Sequence, residues 1–175
     1  TMGFTPQEGL PMGTRCGTID PSIIAYVCEK SGMTVDEVND MLNKKSGLLG
    51  VSGVSSDDRD VTAAEKEGNH RAKLAHEMLY YQIAQYIGSY YVALGGCDAI
   101  VFTAGLGENQ PCLREGVCNY LECLGVKLDK LELEDVRGTA GIKKASYKLG
   151  DLDVKVAIAS GTKNAKSLME KVKDG

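Results

Sequence analysis

The stretch from Ile100 to Asn109 reads Ile-Val-Phe-Thr-Ala-Gly-Leu-Gly-Glu-Asn, and it constrains the fold more than any other part of the chain. Its first residues are apolar, which is typical of a short buried strand. Gly105 and Gly107 predict a tight turn, and Pro111 opens a helical pattern. A strand that leads through a glycine turn into a helix brings backbone N–H groups close to a phosphate. The motif lacks the third glycine of a dinucleotide fingerprint and the Lys-Ser/Thr of a P-loop, so an ordinary strand–helix turn is an equal interpretation.

Composition bounds the class of protein. The chain has 175 residues, of which 43% are hydrophobic and 25% charged, as expected for one folded domain over residues 1–175. The net charge of -4 disfavours a nucleic-acid partner, and no apolar run approaches the roughly 20 residues of a membrane span. The chain begins with Thr1 rather than methionine, so we expect a piece of a larger protein.

The cysteines and histidines do not form a recognisable metal or catalytic pattern. The six cysteines include no C-x-x-C pair, and the only histidines are His70 and His76. This combination disfavours a zinc site and predicts reduced thiols in a cytoplasmic protein. The spacing of the two histidines does not place them on one helical face, so we interpret both as surface residues.

Local patterns predict helices and strands in alternation, which indicates an α/β architecture. Thr34 and Glu37 predict a capping box at a helix start, and Gly47 predicts the end of that helix. The predicted elements, in chain order, are helices at about 20–32 and 34–47, an apolar stretch at 48–54, a polar loop at 55–60, helices at 61–67 and 69–94, a strand at 98–103, a helix at 111–124, a short strand at 126–128, an irregular stretch at 129–150, a strand at 154–159 and a final helix from 162.

The long helix predicted at 69–94 carries most of the tyrosines of the chain. Its apolar residues recur at helical spacing, which predicts a buried face. One interpretation of the tyrosines is core packing with the hydroxyls at the surface. The other is a second face that packs against a partner subunit.

Short segments elsewhere carry candidate binding residues. Arg15 is flanked by glycines, which would let its guanidinium approach a phosphate or a carboxylate; the alternative is a surface arginine in a salt bridge. Residues 57–60 form a charged segment that is either solvated or the rim of a nucleotide site, where Arg59 would stack on a base. Glu108 and Asn109 either bind a nucleotide or cap the next helix.

Taken together, these segments resemble one family, the acetate kinases. Residues 12–17, followed by Ile-Asp-Pro at 19–21, look like the second signature of the family, and residues 43–53 are similar to another characteristic run. The segment from Phe102 to Asn109 matches the nucleotide segment of the family. The spacing between the motifs agrees, and the resemblance extends from residue 1 to about residue 160.

The resemblance implies a fold and a reaction. The fold is the C-terminal lobe of the two-lobed actin, Hsp70 and sugar kinase-like class, which is ribonuclease H-like. The reaction is reversible phosphoryl transfer between ATP and acetate, giving ADP and acetyl phosphate, with Mg²⁺. The resemblance also implies a homodimer built largely from C-terminal lobes, with a nucleotide and acetate or acetyl phosphate as ligands.

Site residues carry over from the resemblance by position. Arg15 matches the arginine that stabilises charge on the transferring phosphoryl group, a role that suits this reaction. Asp57, Asp58 and Arg59 match the segment that lines the adenosine pocket, although family members often have an aromatic or apolar residue where this chain has Asp58. The residues that match the nucleotide-binding turn are Gly105, Leu106, Gly107, Glu108 and Asn109.

Two features of the family are missing. Its catalytic aspartate, its transition-state histidine and an acetate-pocket arginine belong to an N-terminal lobe that this chain does not include. Near the C-terminus, a Thr-Asn-Glu-Glu-type segment that helps to hold magnesium is replaced by Ile-Ala-Ser-Gly-Thr-Lys-Asn at 158–164. Lys163 stands where a carboxylate is expected near Thr162, so we assign no metal ligand in this chain.

Three functional hypotheses stay open. The chain is the catalytically incomplete lobe of an acetate kinase, a non-catalytic nucleotide-binding or dimerisation module, or part of a kinase that acts on propionate or butyrate. The acyl pocket is largely on the missing lobe, so this sequence does not distinguish the acids.

Overall fold

A computed structural model describes residues 1–126 in full and the backbone of residues 143–149 and 152–158. The chain divides into two compact units, Thr1–Leu79 and Tyr80–Gly175. Helices and strands are mixed, as the α/β expectation requires. The helices are α1 (Ser22–Ser31), α2 (Val35–Lys44), α3 (Gly47–Ser52), α4 (Asp58–Lys66), α5 (His70–Leu94), α6 (Ala104–Asn109) and α7 (Pro111–Tyr120), and the strands are β1 (Ala99–Phe102), β2 (Lys143–Leu149) and β3 (Leu152–Ile158).

In the first unit, the ends of α1 and α2 follow from local sequence. Gly32 adopts the left-handed conformation that ends α1, with φ of 74°. Thr34 caps α2 through the predicted reciprocal bonds with Glu37, which confirms the capping box. The buried apolar side chains of this unit are Val38, Leu42, Leu48, Val61, Ala72, Ala75 and Leu79.

Gly47 has a different role from the one expected. It does not end α2, which stops at Lys44; it is the first residue of α3. Its φ is 60°, and a Cβ at this position would lie 2.0 Å from the backbone oxygen of Met12. Glycine is therefore required here by both backbone conformation and space. The apolar stretch that follows Gly47 is a short helix because α3 packs its first turn against the segment around Met12.

We expected residues 55–60 to form a polar loop before a helix. This expectation was wrong for the second half of the segment. Asp57 is the N-cap of α4, and the helix begins at Asp58. Aspartates are favoured in the first turn because their charge complements the helix dipole. A dense run of acidic residues here therefore indicates a helix start rather than a loop.

The long helix α5 is confirmed with bounds close to those predicted, and it ends where Gly95 and Gly96 take positive φ values. The boundary between the two units falls within it. Its exposed large apolar side chains include Leu74, Tyr81, Tyr90, Val92 and Leu94.

In the second unit, β1, β3 and β2 form a sheet in that order. β1 and β3 are parallel, with Ala99 opposite Lys155, and β2 and β3 are antiparallel. The expected strand at 154–159 is confirmed by β3. The irregular stretch expected at 129–150 was wrong over 143–149, which forms β2. β2 is an edge strand of the described sheet. Its lysine-rich sequence is typical of edge strands, and this polar character is why the sequence did not predict a strand here.

Helix α7 and a 3-10 turn at Glu122–Leu124 together cover the predicted helix at 111–124, and Gly125 ends them in the left-handed conformation. Among residues 80–126 of this unit, the buried apolar side chains are Ala84, Phe102, Leu113, Val117, Cys118, Leu121 and Val126. Of the short strand expected at 126–128, only Val126 is described, and it is not in a strand; residues 127–128 and the final helix expected from 162 lie outside the described residues.

All six cysteines are free thiols. Burial raises the pKa of the Cys118 thiol to about 11, as for a cysteine that serves only to pack a core. Among the helices of the described residues, none has the length and apolar character needed to cross a membrane.

Candidate functional site

The start of α4 holds the predicted adenosine-pocket residues in a network of local hydrogen bonds. Asp57 accepts a bond from the backbone N–H of Arg59 at 2.9 Å and two from its guanidinium, at 3.0 Å from Nε and 2.5 Å from Nη2. Hydrogen bonds from the side chain and backbone of Arg59 lower the pKa of Asp57 to about 2. The carboxylate is therefore charged at neutral pH, and it holds Arg59 in one orientation.

Arg59 remains open to solvent while Asp57 orients it. Its side chain is 84% exposed. A planar guanidinium that is held at one edge and exposed on its faces is suited to stacking on a base. The role expected for Arg59 at the rim of a nucleotide site stays a prediction.

In contrast to the exposed side chain of Arg59, the side chain of Asp58 points into the core of the first unit. It is 8% exposed, and its Oδ1 lies 3.2 Å from Nε2 of His76 on α5. Nδ1 of the same ring lies 2.5 Å from Oε2 of Glu65. The surface position expected for His76 was wrong, because this histidine is 2% exposed. His70, at the first turn of α5, is exposed as expected.

The charge of the His76 ring is set by these two carboxylates. Burial lowers the pKa of His76, but hydrogen bonds and charges from Asp58 and Glu65 outweigh burial, and the net direction is upward. Asp58 and Glu65 face different nitrogens of the ring, so the three groups do not share a point at which a metal ion could bind. In the described residues, no group of histidine, cysteine and acidic side chains is arranged to hold a metal.

Arg15 lies in an extended segment that is fixed by the backbone of its neighbours. Cys16 N donates to Leu42 O at 2.9 Å, and Ser46 N donates to Thr14 O at 2.9 Å. Gly13 is so close to the 57–59 segment that a Cβ would lie 2.6 Å from the backbone oxygen of Ser56. The structure thus brings the segment of Arg15 and the start of α4 together within the first unit.

The guanidinium of Arg15 is half-buried, and Nη1 lies 3.6 Å from Sδ of Met12. No carboxylate of residues 1–126 lies within ion-pair distance of it, so the salt-bridge interpretation has no support there. Arg15 lines an open groove of about 460 Å³ whose other walls are polar. The residues that line this groove are Thr14, Arg15, Asp36, Asn39, Asp40, Asn43 and Lys44.

The glycine segment after β1 belongs to the second unit, and it is a short helix rather than a turn. α6 begins directly after Thr103, and the positive φ falls on Ala104, at 62°, not on Gly105 or Gly107. Gly107 is buried against the end of β1, where a Cβ would lie 3.2 Å from the carbonyl carbon of Phe102. A side chain at 107 would therefore make a tight contact with the end of β1, and the position has no left-handed backbone that favours glycine.

Several residues of α6 are accessible to a ligand. Gly105 is exposed and has open space where a Cβ would stand. Leu106 is 39% exposed, and Glu108 is half-buried. Asn109 is exposed, but its Nδ2 donates to Gly105 O at 2.9 Å, so the side chain closes the helix on itself. The structure thus places all five predicted residues on one helix.

Arg114 is a site-supporting residue that the sequence did not single out. Its side chain is fully buried, and Nη1 donates to Gly107 O at 2.8 Å and to Glu108 O at 3.0 Å. These bonds fix the C-terminal end of α6 from the first turns of α7. Its apolar neighbours Leu113 and Val117 place position 114 on or near the buried face of a helix, which was the available signal.

Comparison with known proteins agrees with the motifs. The family model for the acetokinase family matches residues 1–158. The acetate kinase of Natranaerobius thermophilus is 55% identical over 138 residues, which are 79% of this chain and 34% of that protein. The chain therefore spans about a third of the length of such curated relatives.

Solved structures give the same result for the fold. The crystal structure of Porphyromonas gingivalis acetate kinase has a TM-score of 0.81 and 41% identity, over 97% of this chain and 42% of that one. A propionate kinase from Francisella tularensis has a TM-score of 0.78 and 37% identity, over 90% and 39% respectively. The fold is that of part of an actin, Hsp70 and sugar kinase-like protein, and the chain belongs to the acetokinase family.

Proposed function

We propose that this chain is the C-terminal, nucleotide-binding and dimerisation lobe of an acetate kinase. The complete protein would transfer a phosphoryl group reversibly between ATP and acetate, giving ADP and acetyl phosphate. The observation that carries this proposal is the family match over residues 1–158, which includes every predicted site segment. Because the chain spans 34% of the length of such a relative, we propose that it is catalytically incomplete by itself.

Arg15 is proposed to neutralise charge on the phosphoryl group during transfer. Phosphoryl transfer depends on positioning and on compensation of negative charge, and little covalent chemistry is asked of the protein. A guanidinium with no carboxylate at ion-pair distance among residues 1–126 keeps its full positive charge for a ligand. The fixed backbone on both sides of Arg15 supports this role, since a preorganised charge costs no reorganisation during the reaction.

In the first unit, the nucleotide is proposed to lie against the start of α4. Arg59, oriented by Asp57, would stack on the adenine base, while Asp58 would contribute backbone contacts because its carboxylate is committed to His76. In the second unit, the proposed nucleotide-binding residues of α6 are Gly105, Leu106, Gly107, Glu108 and Asn109, with exposed backbone at Gly105.

Magnesium use is expected of the family, but the described residues do not supply a site for the ion. No cluster of suitable side chains occurs in that part of the chain, and the stretch with Lys163 lies outside it. We therefore derive no step through a metal from these residues. A complete enzyme would need metal ligands from elsewhere in the protein or from the nucleotide phosphates.

The proposed partner is a second copy of the chain. The C-terminal part of α5 exposes apolar side chains, with Val92 at 79% and Leu94 at 74%. Tyr81 packs edge-on against Tyr120 with ring centroids 5.6 Å apart, and each ring remains about half exposed. Apolar exposure of this extent supports the partner-facing interpretation of the tyrosine-rich helix.

Six free thiols support a cytoplasmic location for the protein.

A propionate-specific enzyme is a second candidate, and it is favoured by the likeness to the Francisella tularensis propionate kinase. Relative turnover of the full-length enzyme on acetate, propionate and butyrate distinguishes the candidates. A preference for acetate supports the first, and a preference for a longer acid supports the second.

Calorimetric titration of the chain with ADP tests the nucleotide site. We expect saturable binding that weakens about tenfold or more in Arg59→Ala, equivalent to about 1.4 kcal/mol. Lys30→Ala is the matched control, because Lys30 is also an exposed cation beside a carboxylate, at 3.1 Å from Glu29. Equal affinity of Arg59→Ala and the control would contradict the proposed site.

A coupled assay of the same chain tests catalytic incompleteness. We expect no acetate-dependent formation of ADP from ATP, since acid–base and positioning groups from a second lobe are required. Robust turnover by the isolated chain would show that the active site is complete without that lobe.

A further inference from the structure

His76 connects the predicted adenosine segment to the core of the first unit. The buried positions of α4 are Asp58 and Val61, and Glu65 continues the same helical face. His76 stands on α5 between these carboxylates, with its ring nitrogens 3.2 Å from Asp58 and 2.5 Å from Glu65. The ring therefore joins the first and the last turns of α4 to α5.

The hydrogen-bonding capacity of imidazole decides which form of the ring fits this position. A neutral ring has one N–H and one lone pair, so it donates to only one of two carboxylates and turns a lone pair towards the other. An imidazolium donates from both nitrogens at once. Two anionic acceptors on opposite sides of a buried ring therefore favour the protonated form.

Two charged groups that face the ring are Asp58 and Glu65, both from α4. On α5 itself, Lys73 and Glu77 form an exposed ion pair with each other at 3.6 Å. The protonation of His76 is thus governed by the two carboxylates that fix α4.

We propose that His76 is a positioning residue for the nucleotide segment, because as an imidazolium it anchors Asp58 and so holds Asp57 and Arg59 in their binding orientation. This inference rests on the proposed nucleotide site. Asp58 lies between the two residues in the chain, and a fixed Asp58 backbone fixes theirs. Deprotonation would leave a lone pair facing a buried carboxylate and release the first turn of α4.

The position of His76 also explains how a carboxylate at position 58 is accommodated in the core of the first unit. A buried carboxylate without a partner is strongly unfavourable, and it is accepted here because a cation lies beside it. The consequence is that the anchor of the nucleotide segment is titratable, whereas an apolar side chain would not be.

The raised pKa of His76 sets the direction of the pH dependence. The imidazolium is fully present below the ordinary histidine pKa of about 6.5 and is lost as pH rises through the higher folded value. ADP affinity is therefore expected to fall with rising pH, by several-fold to about tenfold.

The test is ADP affinity measured from about pH 6 to about pH 9 for the chain, for His76→Gln and for His70→Gln. The phosphates of ADP titrate in the same range, so the informative quantity is the difference between each variant and the unsubstituted chain. We expect His76→Gln to lose the pH-dependent part of the affinity and His70→Gln, an exposed position on the same helix, to retain it. Identical pH profiles for the chain and His76→Gln would overturn the proposal.

Amide hydrogen exchange at residues 57–61, measured over the same pH range, separates this inference from the nucleotide site itself. Protection that falls when His76 deprotonates, and does not change with pH in His76→Gln, supports anchoring even without ligand. If the chain bound no ADP at any pH, the proposed function would fail, and the exchange data would still decide whether His76 holds the turn. Exchange that is independent of His76 would overturn the anchoring.

An Asp58→Leu/His76→Leu variant provides a further check against simple misfolding. Replacing a buried ion pair by apolar side chains often preserves stability. Glu65 tolerates the loss of His76 because its side chain is 34% exposed and reaches solvent. We expect a folded variant whose protection at 57–61, relative to the intrinsic exchange rate at each pH, does not change with pH; a persistent change in protection would contradict the assignment to His76.

Discussion

The two predicted nucleotide segments are held in place by different forces. At the start of α4, interactions between charged side chains hold the segment: Asp57 pairs with Arg59, and Asp58 pairs with His76. At α6, close backbone packing of Gly107 and the buried guanidinium of Arg114 hold the helix. Because an arginine stays charged at all accessible pH values while a histidine does not, only the first segment is expected to respond to pH.

The largest effect is expected for Arg114→Met. This change removes the side-chain donor to the buried carbonyl of Gly107 and the part-buried carbonyl of Glu108, and we expect the free energy of unfolding to fall by about 3 kcal/mol. Denaturant unfolding at about pH 6 and about pH 8.5 measures it, and the loss is expected to be equal at both values. A loss that depends strongly on pH would break the contrast between the two segments.

His76→Leu is expected to cost somewhat less, about 2 kcal/mol at about pH 6, because it leaves the carboxylate of Asp58 buried without its cation. The Asp58→Leu/His76→Leu variant is expected to recover most of this loss, since it removes both members of the pair. Denaturant unfolding of both variants gives the two values. A double variant less stable than the single one would show that Asp58 is not the group that His76 stabilises.

A smaller effect is expected from pH alone. The free energy of unfolding should decrease as pH rises from about 6.5 through the raised pKa of His76, because the folded state holds a proton that the unfolded state releases earlier. Thermal unfolding in buffers across this range measures the decrease. The same series with His76→Gln should show this slope removed, and an unchanged slope would assign the effect to another group.

The smallest effect is expected for Asp57→Asn. Asparagine caps a helix about as well as aspartate, so stability should stay almost unchanged. The charge that orients Arg59 is lost, and ADP affinity should fall, though by less than in Arg59→Ala. Calorimetry of the two variants side by side tests this order, and a larger loss in Asp57→Asn would mean that Asp57 contacts the ligand itself.

The sequence was informative where the controlling interactions are local. The capping box of Thr34 and Glu37, the long periodic helix and the strand before Ala104 follow from neighbouring residues, and the structure confirms them. The family match confirms the resemblance. The resemblance was visible in the sequence because the motifs that carry it are short and contiguous.

What the sequence missed depends on residues that are distant in the chain. His76 was expected at the surface because its partners, Asp58 and Glu65, lie on another helix. Gly47 was expected to end a helix because its contact with Met12 is not visible from nearby residues. The strand β2 was missed because its lysines gave it no apolar pattern. It is a strand because its backbone pairs with that of β3, which its own side chains do not reveal.

The most direct test of the central proposal is an ADP titration of the isotopically labelled chain followed by backbone amide resonances. We expect saturable shifts at residues 57–59, at the start of α4, and at residues 105–109 of α6, with the shifts at 57–59 weaker at a pH where His76 is neutral. Saturable shifts confined to other parts of the chain, or no shifts at either segment, would contradict the proposal that this lobe forms the nucleotide site.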